Sequence, residues 1–217
     1  MKKVECVVSY KYLDENAYFY IDDKTKHCFL IDPGYDVNKI LEFIKVNNLI
    51  VDKILITHGH FDHISGVNEL REKINVEAYS HKLSEKYLLN PEYNLSSHLI
   101  NNEFTVKNVK YFEDGDIIYL NNNKSFYLRV MYTPGHTSDG CVFLNEKDGV
   151  LFSGDTLFKS SIGATHFPGG NYDELISSIK NKILVLNENI KVYPGHGEET
   201  TIKNEKNNIC LYMWNRI

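Results

Sequence analysis

Three histidines and one aspartate fall within six consecutive residues of this chain: His58, His60, Asp62 and His63. If these polar groups were buried without partners, the loss of their hydrogen bonds to water would cost on the order of several kcal/mol. A divalent metal ion would satisfy them, because imidazole nitrogen and carboxylate oxygen are common zinc donors. The cluster therefore predicts a metal site.

The sequence around this cluster predicts a strand before it and a helix after it. Residues 51–57 contain a short apolar run that is typical of a buried strand. After Ser65, the apolar residues Val67, Leu70 and Ile74 recur at the spacing of one helix face. The cluster is then expected on a loop at the carboxyl end of a strand, where layered α/β folds bind their ligands.

The spacing within the cluster indicates two neighbouring metal positions. His58 and His60 are two residues apart in a stretch expected to be extended, so their side chains should point to the same side. A turn through Phe61 would bring Asp62 and His63 around to an adjacent point. This arrangement favours two adjacent ions over a single one.

Three later segments each place a candidate ligand after a strand-like run and a turn. They hold His136 after Thr-Pro-Gly, Asp155 after Ser-Gly, and His196 after Pro-Gly. The proline and glycine residues end the preceding strands, and glycine lets the backbone approach a metal closely. Loops from several strands could therefore converge on the cluster at one end of a sheet.

Together, these four segments resemble the His-x-His-x-Asp-His motif and the later ligand motifs of the metallo-β-lactamase superfamily, in the same order. The resemblance implies an α/β protein with the four-layer αββα sandwich, in which two sheets pack together with helices outside. Periodicity alone indicates only layered α and β structure. An opening antiparallel meander is expected at residues 5–8, 17–21 and 28–31.

Two helices are predicted from capping signals and apolar spacing. Asp36 is the expected N-cap of a helix with inward-facing residues up to position 44. Asn171 or Asp173 is expected to start a last long helix that continues through Leu186. Both helices would cover the outside of the sandwich.

The resemblance also implies a complete set of metal ligands. One ion would be held by His58, His60 and His136, a second by Asp62, His63 and His196, and Asp155 would bridge both. The two divalent ions would be zinc, with iron or manganese as alternatives, since all three metals accept these ligands. They would lower the pKa of a shared water from about 15.7 toward about 7, and Asp62 would act as a catalytic residue that orients the resulting hydroxide.

Segments 158–174 and 194–202 narrow the resemblance to the glyoxalase II-like (hydroxyacylglutathione hydrolase-like) branch, in its short single-domain form. That branch hydrolyses hydroxyacyl thioesters, typically of glutathione, so the implied substrate is a small-molecule thioester. Ala164 and His166 depart from the branch, which usually carries a basic residue and an acid in this stretch. Since the sequence reaches only to Ile217, the C-terminal helical region of basic anchors that the full-length enzyme carries is not expected here. Thiols other than glutathione therefore stay open.

Other reaction classes on the same scaffold stay open as well. Mononuclear iron persulfide dioxygenases have a similar pattern, but they use only two histidines and the aspartate as ligands. Lactonase and β-lactamase activities are nearer alternatives. A non-catalytic binding module is a further class, and the completeness of the ligand set argues against it.

Three further residues are candidates for supporting roles. Asp32 ends a predicted strand, and an aspartate at this place in the superfamily often orients ligating histidines; a plain turn acid before Pro-Gly is the alternative. His166 and Tyr172 lie in the segment that lines the site in relatives, and they are expected to contact substrate. Residues 87–97 look like an insertion over the site, either a substrate-facing lid or a surface loop.

Composition and charge exclude several classes of function. A chain of 217 residues with 42% hydrophobic residues fits one domain, residues 1–217. The formal charge of −5, with acidic and basic residues interspersed, disfavours nucleic acid as a partner. No apolar run is long enough to span a membrane, and a signal peptide is not expected. The four cysteines are scattered, which predicts reduced thiols in a cytoplasmic protein.

Overall fold

Two six-stranded sheets form the centre of the computed structural model, which describes residues 2–101 and 103–214. The first sheet contains, in spatial order, β1 (Lys2–Ser9), β2 (Glu15–Asp22), β3 (His27–Ile31), β4 (Ile50–Leu55), β5 (Glu77–His81) and β6 (Lys110–Phe112). The second sheet begins with β7 (Ile117–Leu120), β8 (Asn123–Tyr132), β9 (Cys141–Asn145) and β10 (Val150–Gly154). A separate hairpin of β11 (Leu157–Phe158) and β12 (Ser161–Ile162) follows. The strands β13 (Lys191–Pro194) and β14 (Thr200–Thr201) complete the second sheet, whose spatial order is β14-β13-β10-β9-β8-β7.

Helices cover the outer faces of both sheets. The helices and single helical turns of the described chain are α1 (Val37–Val46), α2 (Phe61–Ile64), α3 (Val67–Ile74), α4 (Glu85–Leu88), α5 (Ser96–Leu99), α6 (Tyr172–Ser178) and α7 (Ile202–Trp214). Apolar residues of α1 and α3 pack on the first sheet, and residues of α6 and the start of α7 pack on the second. A third apolar cluster lies between the two sheets. The predicted four-layer αββα sandwich is confirmed.

Strand β2 shows how the sequence produces this layering. Its side chains alternate, so that Tyr18 and Tyr20 point between the sheets while Ala17, Phe19 and Ile21 point toward the helices. Both faces are apolar over residues 17–21, and the strand is buried along its whole length. Each large side chain buried in this way stabilises the fold by about 1.5–3 kcal/mol.

Backbone hydrogen bonds join the two sheets at one end of the sandwich. The amide of Cys141, at the start of β9, donates to the carbonyl of Thr57, just beyond β4 (2.9 Å). The amide of Asn16, in β2, donates to the carbonyl of Gly195, just beyond β13 (2.8 Å). The loops that follow strands of both sheets are therefore fixed against each other at this end.

Most of the predicted elements are present, with two differences in the helices. Asp36 occupies the N-cap position of α1, but its carboxylate forms no capping hydrogen bond and instead accepts from Lys39 (2.8 Å). Asn171 caps α6 through the amides of the next turn, as expected. The single long helix through Leu186 is wrong, because the chain widens into a π-helical turn over Ile179–Ile183. This wider turn keeps the side chains of both of its end residues in the core.

Membrane and disulfide features can be judged for the described part of the chain. No helix there combines the length and the apolar character that are needed to cross a membrane. Cys6, Cys28 and Cys141 are free thiols, and the last two are buried. The side chain of Cys210 lies outside the described residues.

Candidate metal centre

The loop after β4 delivers the first four candidate ligands. The backbone of His60 is extended, and His60 precedes the single helical turn of α2. His58 therefore lies before the turn, whereas Asp62 and His63 lie within it, and all four side chains are buried. The predicted turn through Phe61 is thus a short helix, and the amide of Phe61 donates to the carbonyl of Asn94 (2.9 Å).

The remaining candidate ligands come from the second sheet. His136 follows β8, Asp155 follows β10 and His196 follows β13. Gly195 is required by close approach, because a Cβ atom there would lie 2.3 Å from Asp155 Oδ1 and 2.6 Å from His63 Cε1. The glycine in the last motif therefore allows its loop to reach the ligands of the other loops.

Three imidazoles form a first group of converging nitrogen atoms. His60 Nδ1 lies 3.2 Å from His58 Nε2 and 3.0 Å from His136 Nε2. One nitrogen from each ring lies within 4.8 Å of the others, a spacing that allows all three to bind one ion. His58 and His60 thus face the same side, as their spacing predicts.

A second group combines imidazole and carboxylate. Asp62 Oδ2 lies 3.3 Å from His196 Nε2 and 3.8 Å from His63 Nε2, and these three residues also satisfy the 4.8 Å spacing. Asp155 faces both groups. Its Oδ1 lies 3.3 Å from His63 Nε2, and its Oδ2 lies 3.5 Å from His136 Nε2 and 3.4 Å from His196 Nε2.

The chemistry of the donor set fits a pair of divalent ions. Within the described part of the chain, His63 Nε2 and Asp155 Oδ1 are buried and form no hydrogen bond, although they lie 3.3 Å apart. Leaving such groups unsatisfied costs about 1–3 kcal/mol each. Five imidazoles and two carboxylates that converge in this way match the ligand preferences of zinc, iron and manganese.

Fixed acceptors hold three of the candidate ligands from behind. Asp32 Oδ2 lies 3.0 Å from His63 Nδ1, and the carbonyls of Ala164 and Asp14 lie 2.6 Å from His136 Nδ1 and 2.7 Å from His196 Nδ1. Such contacts set the tautomer and the orientation of a ligating ring. Asp32 also accepts from the amide and the hydroxyl of Thr57 (2.7 and 2.6 Å). Its place behind His63 suits the orienting role proposed from the sequence.

The two groups differ in their protonation without metal. Burial lowers the pKa of His58, of His136 and, to about 3, of His60. Burial also opposes protonation of His63 and His196, but the carboxylates of Asp155 and Asp62 outweigh it. They raise the pKa of His63 well above its usual value and that of His196 to about 10. The first group is therefore neutral at neutral pH, whereas the second carries protons on both imidazoles.

This difference in protonation predicts that protons are released when a metal ion binds the second group, and not when one binds the first group. A metal ion that binds the second group must displace the protons of His63 and His196, so we expect about two protons to be released there. The imidazoles of the first group are already neutral, so we expect about none to be released when a metal ion binds there. Calorimetric titration of the metal-free protein with Zn²⁺ in two buffers of different ionisation enthalpy measures this release. Replacement of His98, which is exposed, by alanine is the control. Equal release in both phases would contradict the assignment.

The loop around residue 166 brings the side chain of Phe167, which was not a candidate in the sequence, to the site. His166 is exposed and packs on Phe167 (ring centroids 4.2 Å apart). The Phe167 ring presents an edge-to-face contact to His60 (5.8 Å) and to His136 (6.4 Å). Tyr172 begins α6 and is partly exposed. Substrate contact by His166 or Tyr172 stays a prediction.

Several residues that were not candidates for the site in the sequence lie around the ligands. Phe158 lies 6.0 Å from the His196 ring. Glu15 is fully buried beside Gly34, its carboxylate forms no hydrogen bond within the described chain, and burial raises its pKa well above the usual value. Tyr87 is buried against His60 (ring centroids 6.2 Å apart). Phe158 lies three residues after Asp155, whereas Glu15 and Tyr87 are distant in sequence from the ligand motifs, and only the folded chain reveals that they lie near the ligands.

Comparison with known proteins places this site in a family context. The profile of the Metallo-beta-lactamase superfamily matches residues 12–196. The chain is 39% identical to the "Probable metallo-hydrolase YqgX" of Bacillus subtilis (strain 168), with 89% of this chain and 90% of that protein covered. It is 34% identical to the hydroxyacylglutathione hydrolase GloC of Haemophilus influenzae (strain ATCC 51907 / DSM 11121 / KW20 / Rd), with 85% and 86% covered.

Two crystal structures show the same arrangement of the chain. The BLEG-1 B3 metallo-beta-lactamase matches with a TM-score of 0.89 at 33% identity, covering 96% of this chain and 99% of that one. TTHA1623 in a di-iron-bound form matches with a TM-score of 0.82 at 30% identity, covering 94% and 98%. The similarity thus extends over nearly the full length of both proteins in each pair.

Proposed function

The chain belongs to the metallo-beta-lactamase superfamily, and from this premise we propose that it is a binuclear metal-dependent hydrolase that cleaves thioesters as glyoxalase II does. The observation that carries the proposal is the position of Asp155 between two groups of converging ligand atoms. Two adjacent sites that share one carboxylate are the arrangement that a two-metal hydrolase requires.

The metal ligands are proposed in two sets. His58, His60 and His136 would hold one ion, Asp62, His63 and His196 the other, and Asp155 both. Bound divalent ions would supply Lewis acidity and a hydroxide nucleophile at neutral pH. Zinc suits these donors, and iron is the alternative because the similar TTHA1623 was crystallised in a di-iron-bound form.

Asp62 is the proposed catalytic carboxylate. Burial alone would raise its pKa, but the His63 imidazole and the hydrogen bond with His196 hold that pKa below its usual value. Asp62 is therefore ionised at neutral pH and can accept a hydrogen bond from the attacking water, which fixes the direction of attack. A thiolate leaves readily, so the reaction does not depend on a separate general acid.

The substrate is proposed to be a small-molecule thioester. The similarity to hydroxyacylglutathione hydrolase GloC supports this class. Support for glutathione itself is weaker, since position 164 offers only a carbonyl, which is bonded to His136. Lys159, next to Phe158, is exposed and already paired with Glu198 (2.5 Å).

A substrate panel tests this proposal. Protein loaded with Zn²⁺ should hydrolyse S-lactoylglutathione much faster than a lactone or a β-lactam, and a chelated sample should be inactive. The β-lactam is included because the similar BLEG-1 structure is named a metallo-beta-lactamase. Oxygen uptake by the iron-loaded protein with a thiol persulfide would instead support the dioxygenase. Faster turnover of any other substrate class would reject thioester hydrolysis as the main activity.

A further inference from the structure

We propose that Tyr87 is a positioning residue that holds the first metal group, His58, His60 and His136, in its binding geometry. This inference rests on the metal site proposed above, but its test does not require turnover. Tyr87 lies in α4, on the segment that follows β5, far in sequence from all candidate ligands. It contacts three separate loops, and each of these loops acts on the first group.

The segment around Tyr87 is packed into the protein. Tyr87, Asn94 and Ser96 are completely buried. The side-chain amide of Asn94 donates to the carbonyls of Tyr87 (3.1 Å) and Phe104 (2.8 Å), and its backbone carbonyl accepts from Phe61 (2.9 Å). At these positions the segment therefore packs beneath the metal-binding loop and supports it. This differs from both alternatives considered from the sequence, a lid and a surface loop.

The first contact of Tyr87 is with the loop that carries His60. Its ring meets the His60 ring edge-to-face, with centroids 6.2 Å apart and an angle of 70° between the planes. The Tyr87 Cβ atom also packs closely on Gly59. If residue 59 had a side chain, its Cβ atom would lie only 2.4 Å from the Tyr87 Cβ atom. This contact limits the positions that the His60 ring can take.

The second contact is with the loop that carries His136. The amide of Ser138 donates to the Tyr87 hydroxyl (2.9 Å), and the Ser138 hydroxyl lies 3.0 Å from the same oxygen. Ser138 is two residues beyond His136. A buried hydroxyl that satisfies a backbone amide at this point fixes the path of the loop.

The third contact is with the loop over the site. The Tyr87 hydroxyl also donates to the carbonyl of Pro168 (3.3 Å), and a Cβ atom at Gly169 would lie 2.0 Å from its oxygen. The same loop supplies the Ala164 carbonyl that orients His136 and the Phe167 ring that faces His60. One hydroxyl thus links the two loops on either side of His136.

The second metal group is held by other residues. His63 is oriented by Asp32 and His196 by the carbonyl of Asp14. The contacts of Tyr87 described above converge on His60 and His136 only. Loss of the Tyr87 hydroxyl should therefore weaken one metal position and leave the other intact, which general destabilisation of the fold would not do.

Two variants that each lack one metal ligand allow metal binding at the two positions to be measured separately. His196→Ala retains the first group, and His136→Ala retains the second. Tyr87→Phe is introduced into each, and Co²⁺ affinity is measured by competition with a chelator, together with the Co²⁺ absorption spectrum and the melting temperature. Tyr93→Phe is the matched control, since its ring packs 5.6 Å from that of Tyr87 on the same segment.

We expect Tyr87→Phe to weaken Co²⁺ binding by about tenfold in the His196→Ala background, the low end of the effect of outer-shell partners. In the His136→Ala background we expect no change, and Tyr93→Phe should have no effect in either. Equal affinities for Tyr87→Phe and Tyr93→Phe, or equal losses in both backgrounds, would overturn the proposal. If Tyr87→Phe does not fold, Ser138→Ala removes one contact of the same hydroxyl, and its effect must be confined to the first position.

Discussion

Replacement of Asp155 by alanine is expected to lower kcat/KM for the thioester by about 10³-fold or more, which corresponds to at least about 4 kcal/mol of transition-state stabilisation. The reason is its position: its two oxygens face His63 on one side and His136 and His196 on the other. Without this carboxylate both ions lose a shared ligand and a negative charge, so we expect the metal content to fall as well. His60→Ala should have a similar effect, because His60 Nδ1 is central to the first group.

The measurement combines steady-state kinetics with metal analysis of the purified variants. Asp23→Ala is a suitable control, since Asp23 is a partly exposed aspartate that pairs with Lys26 in a surface turn. It should retain full activity and metal content. An Asp155→Ala protein with the wild-type rate and two bound ions would refute the bridging role.

Removal of the metals is expected to lower the melting temperature by about 15 °C or more. An ion at a free concentration of a thousand times its Kd stabilises the folded state by about 4 kcal/mol, so two ions contribute about 8 kcal/mol. In a protein of this size each kcal/mol shifts the melting temperature by about 2–4 °C. The sign follows from linkage, because an ion that binds the folded site and not the unfolded chain stabilises the folded state.

Thermal unfolding of metal-loaded and chelated protein measures this shift. Re-addition of Zn²⁺ to the chelated sample should restore the higher melting temperature, which excludes damage by the chelator. The His196→Ala variant should show a smaller shift than the wild-type protein, because one of its two positions lacks a ligand. A chelated protein that melts at the same temperature as the loaded protein would show that the cluster does not bind metal under these conditions.

The candidate ligands could be located from the sequence because each lies in a short, local pattern. His58, His60, Asp62 and His63 share one loop, and the later ligands each follow a strand and a turn. Such patterns involve only residues that are close in sequence, so they can be recognised before the fold is known. The αββα sandwich could be predicted only from the resemblance to the superfamily, since apolar periodicity does not reveal how two sheets are stacked.

Features that depend on distant contacts could not be predicted. In the sequence, Tyr87 only begins a segment that could be a lid or a surface loop, and the role proposed for it follows from three loops that meet at its side chain. The end of α6 was misjudged because its apolar spacing suits both an α-helix and the wider π turn that the core selects. In the loop around residue 166, packing turns the Phe167 ring toward the imidazoles, and no local sequence pattern indicates this orientation.

Titration of the metal-free protein with Zn²⁺, while hydrolysis of S-lactoylglutathione is followed, joins the metal site to the reaction in one experiment. We predict that turnover rises until two equivalents are bound and then stays constant, and that a chelator abolishes it. A protein that binds two equivalents of Zn²⁺ but leaves the thioester intact would contradict the proposed function while keeping the site. Full activity at one equivalent would contradict the two-metal arrangement.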